Sequence, residues 1–337
     1  MSNTPSQKLK LLALYDIFKK ETDEDHVLSV SELIALLEKA GAKAERRSIY
    51  SDIHALQEYG VDLLYSRGAG KNGYFLASRE FELPEVRLLI DAVQSASFIT
   101  PNKTKELVGK LEGLCSRHLA KQIGDQVYFS STLKQHVNET IYYGIDLIGS
   151  AIREVAKVKL LYSRRRLTAQ ISSKMMSRDF TVSPYAMGWW NGFYYLICNN
   201  EKYDNLMHLR LDRITNVEVL HNNSARPFSE VSEYTYKFDT GDYLSKVFSM
   251  FGGADIQTIE LRCDLSLLDS VYDRFGPEVP LRVSGDSHFV ARVEVAVSEG
   301  LLSWILQFGA KVEVLSTPEL RQEIRAKARE LRHLYKV

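Results

Sequence analysis

Tyr185, Tyr195, His208, Arg210 and Arg213 fall in one short stretch, and together they have the chemistry to hold an anion. Guanidinium groups donate paired hydrogen bonds to phosphate or carboxylate, imidazole and phenol add directional contacts, and aromatic rings stack on bases. The same stretch is rich in apolar residues, so these side chains belong to half-buried strands. An arginine there is costly unless an anion or a fixed acceptor meets it. Without an outside ligand, the arginines would face solvent or pair with Asp204 and Asp212.

The elements that must position these groups are legible nearby. Trp189-Trp190 and Phe193-Tyr194-Tyr195 flank Asn191-Gly192. Asn-Gly between β-prone runs marks a hairpin, because a type I′ turn needs positive φ at both central residues. The run 209–219 supplies a further strand, and 157–163 another. Arg164-Arg165-Arg166 reads as a solvated polar loop. The region 156–220 is thus expected to form a small all-β unit of about five strands, consistent with a barrel.

Upstream, helical spacing predicts helices over 9–20, from the capping box Ser29-Val30-Ser31-Glu32 to Gly41, and over 45–59. The last has an apolar stripe of Ile49, Ile53 and Leu56 and an opposite face of Arg46, Arg47, Tyr50, Ser51 and His54. Short helix, tight turn and basic-faced helix make a helix-turn-helix arrangement. A glycine-rich hairpin over 61–76 follows. Its Gly68, Gly70 and Gly73 match G-x-G-x-x-G, but a strand rather than a helix comes next, so the segment reads as a wing and not a dinucleotide loop. Helices over 84–96, 101–115 and 139–155, with a shorter one to 123, form a connector whose stripes suit core or dimer packing. A polar linker spans 221–229. The tail then alternates strand 258–263, helix 266–275, strands 281–283 and 289–297, helix 300–308, strand 311–314 and helix 318–335. That order is the ferredoxin-like split βαβ pattern with an added helix.

The totals narrow the class. The 337 residues suggest two or three domains, with 45% apolar and 26% charged residues. Lys+Arg 43 balances Asp+Glu 43, so the overall charge points to no partner, although a local basic face is enough for nucleic acid. Cys115, Cys198 and Cys263 are odd in number and widely spaced, which leaves no disulfide framework or zinc motif. A polar start without an apolar leader core, and no run of membrane-spanning length, lead us to expect a cytoplasmic protein.

With these motifs in place, the chain resembles bacterial WYL-domain transcriptional regulators. The signature tripeptide corresponds to Tyr194-Tyr195-Leu196, with tyrosine in place of tryptophan; Pro184-Tyr185, Asn191-Gly192 and His208-x-Arg210-x-Asp212-Arg213-Ile214 flank it. Ser303-Trp304-Ile305-Leu306-Gln307-Phe308-Gly309 with Glu313-Val314-Leu315-Ser316 resembles the family's C-terminal WCX extension. Arg46-Arg47-Ser48-Ile49-Tyr50-x-Asp52-Ile53-x-x-Leu56 resembles its winged helix. Family members often carry a small residue where Glu45 stands and a basic one where Ser51 stands.

The resemblance implies an α+β multidomain protein: a winged helix-turn-helix (1–78), a helical connector for dimerisation (79–155), an Sm-like β-barrel or WYL domain (156–222) and a WCX extension (223–337). It implies a homodimeric, ligand-responsive regulator that binds a double-stranded operator through Arg46, Arg47, Ser48, Tyr50, Ser51 and His54, with Arg67 and Lys71 on the wing. An anionic effector, a nucleotide or single-stranded nucleic acid, would sit among Tyr162, Ser163, Tyr185, Tyr195, His208, Arg210 and Arg213. No catalytic residue, metal ligand or cofactor is expected. Two rival functions have less behind them. An enzyme acting on nucleotides would need clustered carboxylates or an activated nucleophile, and only Asp204 and Asp212 lie near the basic strands. An accessory nucleic-acid-binding module of a phage-defence system would not need the winged helix.

Overall fold

Asn191 and Gly192 take φ of 47° and 77°, so the turn between the two aromatic runs has the left-handed backbone that Asn-Gly favours. Trp190 and Phe193 face each other across it. The computed structural model describes residues 7–67, 71–96, 98–124, 141–167, 173–250 and 255–335. Among these residues the chain forms eleven helices and three antiparallel sheets. It divides into two compact units, Met1–Val137 and Asn138–Val337.

In the first unit, α1 (Gln7–Glu21), α2 (Val30–Lys39) and α3 (Arg46–Glu58) precede a hairpin of β1 (Leu63–Arg67) and β2 (Asn72–Leu76). The capping box at Ser29 and Glu32 forms as the sequence predicts. Glu45, at the N-cap of α3, makes no side-chain cap. Leu14, Phe18, Leu33, Leu37, Ile49, Ile53, Leu56, Leu63 and Leu76 share one core, so the three helices and the hairpin fold together. The hairpin is bolted to the loop before α2 by reciprocal Leu28–Tyr74 backbone hydrogen bonds of 2.9 and 2.8 Å. Gly73 permits this closeness, since a Cβ there would lie 2.5 Å from the Leu28 carbonyl. Gly68 and Gly70, at the expected wing tip, lie outside the described residues. Helices α4 (Leu83–Ser95), α5 (Pro101–Glu112) and α6 (Arg117–Gly124) have a second small core around Val86, Ile90, Cys115 and Ile123.

In the second unit, α7 (Ile141–Glu154) leads into β3 (Ala156–Leu167), β4 (Ser173–Trp190), β5 (Phe193–Asn199), β6 (Met207–Arg210) and β7 (Ile214–Ser224). These make a five-stranded sheet in the order β6-β5-β4-β3-β7. The long β4 pairs with β3 up to Val182 and with β5 from Ser183, and its register shifts between Pro184 and Ala186. A bulge at that point bends the strand and increases its twist. The expected loop at Arg164 is instead strand: β3 continues to Leu167 because β4 stays in register with it as far as Ser173. A helix absent from the sequence reading, α8 (Thr240–Lys246), follows the sheet, with Tyr243 in a core shared with Ala186 and Ile197.

The tail forms β8 (Ile256–Asp264), α9 (Leu268–Phe275), β9 (Leu281–Val283), β10 (His288–Ala296), α10 (Glu299–Leu306), β11 (Val312–Ser316) and α11 (Pro318–Leu334). Its sheet order is β11-β8-β10-β9. The alternation of strands and helices predicted for the tail is therefore present, element by element.

Candidate functional site

Two surfaces bear the predicted site residues, one in each unit. On α3, Ile49, Ile53 and Leu56 are buried, which turns Arg46, Arg47, Tyr50, Ser51 and His54 to solvent. Ser48 is different. It accepts a hydrogen bond from Lys10 of α1, whose ammonium also pairs with Asp52 at 2.6 Å. Ser48 thus lies on the flank of α3 that meets α1, away from the exposed arginines. Arg67 is exposed on β1. Lys71 is tied to Glu32 of α2 at 2.7 Å. Burial opposes ionisation of Glu32, but hydrogen bonds from Lys71 and Ser29 outweigh it and hold the carboxyl down at about 2. His54 Nδ1 lies 3.6 Å from Glu58. Arg46, Arg47 and Arg67 have no acidic partner among the described residues.

In the five-stranded sheet, the predicted effector residues divide between two faces. Successive side chains of a strand point to opposite sides, so His208 and Arg210 share one face of β6 and Met207 and Leu209 the other. On the first face, His208 is fixed at both ring nitrogens: Nδ1 is 2.9 Å from the Met250 carbonyl and Nε2 is 2.9 Å from the Tyr243 hydroxyl. A carbonyl only accepts, so Nδ1 carries the proton and Nε2 accepts from Tyr243. Burial pulls the imidazole down to about 4, which keeps it neutral. Arg210 donates from Nε and a terminal nitrogen to Asp212, at 3.0 and 2.7 Å, and its guanidinium lies 3.4 Å from the centre of the Phe193 ring. Tyr185 is packed against Phe228 and Phe238, and burial pushes its phenol up to about 12. Tyr195 faces Arg210 across the strands. Burial raises its phenol, while Arg210 and Arg213 pull the other way. On this face His208 and Arg210 are engaged from within the protein, but the buried Tyr185 hydroxyl has no hydrogen-bond partner among the described residues, and Arg213, half-buried in the turn after β6, has no acidic one.

The opposite face is open. Tyr162, Arg164, Met176, Arg178, Phe180, Met207 and Leu209 line a cleft of about 370 Å³. Tyr162 stands opposite Arg178 in register, edge-on to Phe180, and the Arg164 guanidinium lies 5.4 Å from its ring centre. Neither arginine has an acidic partner among the described residues. Ser163, one residue along, points the other way and meets Ser177 at 2.8 Å. Of the predicted effector residues, only Tyr162 lines this cleft. The sequence reading missed Arg164 and Arg178. The signal that could have found them is the period of two from Tyr162, carried across the β3–β4 pairing.

Chemically, the cleft offers two uncompensated guanidinium groups beside two aromatic rings and an apolar floor. That arrangement can bind a flat anion by charge-assisted hydrogen bonds and stacking. No helix in either unit is long and apolar enough to cross a membrane, among the described residues.

Residues 145–219 match the WYL domain, and residues 255–332 match the WCX domain. Among solved structures, the chain is similar to proteasome accessory factor B/C (PafBC) of Arthrobacter aurescens, at 16% identity and a TM-score of 0.28, covering 100% of this chain and 50% of that one. It is also similar to a CRISPR Cas-related protein, at 13% identity and a TM-score of 0.34, covering 74% of this chain and 72% of that one. The chain thus spans half the length of the PafBC chain that it matches. None of the curated proteins matches it.

Proposed function

We propose that this chain, which carries a WYL domain followed by a WCX domain, is a DNA-binding transcriptional regulator controlled by an anionic effector. The observation that carries the reading is the pairing of an exposed cationic helix face in one unit with an uncompensated arginine cleft in the other. In the first unit, α1–α3 and the β1–β2 hairpin act as a winged helix-turn-helix. Helix α3 enters the major groove with Arg47, Ser51 and His54 foremost, and Arg67 holds a phosphate beside it. Two copies of the chain read a two-fold site, because one winged helix alone gives limited affinity.

In the second unit, the curved sheet acts as the small barrel of the sensor. The cleft between Arg164 and Arg178 supports an effector bearing phosphate or carboxylate on a stackable body, such as a nucleotide or a single-stranded nucleic acid end. Arg210 and His208 shape the sheet rather than meet the effector, since Asp212, Met250 and Tyr243 already engage them. The protein acts by binding rather than by catalysis, in the cytoplasm.

Purified protein titrated against a labelled duplex from upstream of its own gene tests this reading. Binding that weakens with salt, and shifts when a short oligothymidine is added, is the expected result. Salt-insensitive or absent binding refutes the regulator reading; salt-sensitive binding that ignores every anionic ligand refutes the sensor half.

A further inference from the structure

The first unit has a second feature on its reading surface that cations do not explain. Arg46, Tyr50 and Gln57 fall at i, i+4 and i+11, so they share one stripe of α3. The Gln57 amide donates to the Leu63 carbonyl at 2.7 Å, which turns that stripe toward the hairpin. On the hairpin, Leu63, Tyr65 and Arg67 alternate on one face, opposite Leu76, Tyr74 and Asn72. Leu63 and Leu76 are buried in the core with α3, so this face is the one that meets the helix. Tyr65 and Tyr74 therefore lie side by side on the hairpin face that meets α3, whose stripe carries Tyr50. Tyr65 and Tyr74 meet edge-to-face with centroids 4.8 Å apart. Tyr74 is raised first by burial and then by the nearness of Tyr50 and Tyr65. Tyr50 and Tyr65 remain open, at 43% and 48% exposure.

We infer that this tyrosine-bearing surface holds the sugar–phosphate backbone of one DNA strand, with the hydroxyls of Tyr50 and Tyr65 donating to phosphate oxygens. The inference rests on the DNA-binding reading and adds residues and a physical mode to it. Three observations support it. Arg46 stands one turn before Tyr50 on α3 and Arg67 two residues beyond Tyr65 on β1, both exposed, so the charge beside these phenols suits a phosphate chain. The surface is preformed, since the Leu28–Tyr74 backbone pair and the Gln57 bond fix the hairpin against the helical core. The cations expected to grip DNA are also depleted, Lys71 being spent on Glu32 and His54 standing beside Glu58. Three uncompensated arginines predict a slope of log affinity against log salt of about −3 per chain, which leaves neutral donors to supply the remaining backbone contacts. A phenol contact releases no counterion, so it adds affinity without adding to that slope.

The test is a salt series on the full chain with a short labelled duplex of arbitrary sequence. Tyr50→Phe with Tyr65→Phe keeps both rings and removes only the hydroxyls. The inference expects a loss of about fivefold per hydroxyl at every salt concentration, with the slope unchanged. Arg67→Ala, by contrast, should reduce the slope by about 0.9. Unaltered affinity in the double phenylalanine variant, alongside salt-sensitive binding by the parent, overturns the tyrosine contacts while leaving the regulator reading intact. A parent protein that binds no duplex at any salt concentration overturns both.

Discussion

Arg210 and Asp212 close a two-pronged ion pair on the face of the sheet that packs toward α8, with hydrogen bonds of 3.0 and 2.7 Å. The Asp212 side chain is 1% exposed, so this pair is part of the interior rather than a rim contact. Removing one member leaves the other charge without its counter-ion in a poor solvent. Asp212→Ala is expected to cost about 3 kcal/mol of unfolding free energy, read by denaturant titration. An effect confined to effector binding, with stability intact, would return Arg210 to the list of effector ligands.

The cleft on the other face should behave in the opposite way. Arg164→Ala and Arg178→Ala each remove a guanidinium that no acid among the described residues balances. Each is expected to weaken binding of a labelled oligothymidine by about tenfold or more, while unfolding stability stays near that of the parent. His208→Gln should leave that affinity almost unchanged.

His208 also sets a pH dependence. Its folded-state value near 4 lies below the ordinary 6.5, because burial disfavours the imidazolium. Above pH 6.5 the ring is neutral in both states and contributes no pH dependence. As pH falls from 6.5 toward 4, the unfolded chain takes up the proton first, so stability is lost across that window. The loss amounts to on the order of 3 kcal/mol, and His208→Gln should flatten the stability profile between those values. An unchanged profile in the variant contradicts the assignment.

Arg67 ends β1 and Lys71 directly precedes β2, but the two differ in their partners. Lys71→Ala should change the salt slope of DNA binding by less than Arg67→Ala does, because Glu32 already neutralises the ammonium. Glu32→Gln should free Lys71 and steepen the slope. The same titration, run on the three variants side by side, decides the point.

Gly73→Ala places a methyl group 2.5 Å from backbone atoms of Leu28, which cannot swing aside as a side chain can. The expected cost is about 2 kcal/mol or more, read by thermal unfolding of the full chain. A neutral result would mean that the hairpin is not held against the loop before α2.

Much of this organisation is written locally in the chain. The capping box at Ser29, the apolar stripe of α3, the Asn191-Gly192 turn and the strand-helix alternation of the tail depend on spacing and backbone preference within a few residues. Such signals survive without knowledge of what each element packs against. That Arg210 and Arg213 stand in or beside the central strands was legible for the same reason, since residue type alone carries charge, whereas Arg164, expected in a loop, and Arg178 were not.

Which cations stay available was decided only by tertiary structure. Among the described residues, Arg210 and Lys71 find acids and Arg164 and Arg178 do not. That outcome depends on strand register and on the face each residue takes. One step along a strand sends a side chain to the other side of the sheet, and a charge-neutralising partner can lie far away in sequence. Residue type fixed which groups could bind an anion; only the folded pairing of β3 with β4, and of α3 with the hairpin, determined which of them remain uncommitted.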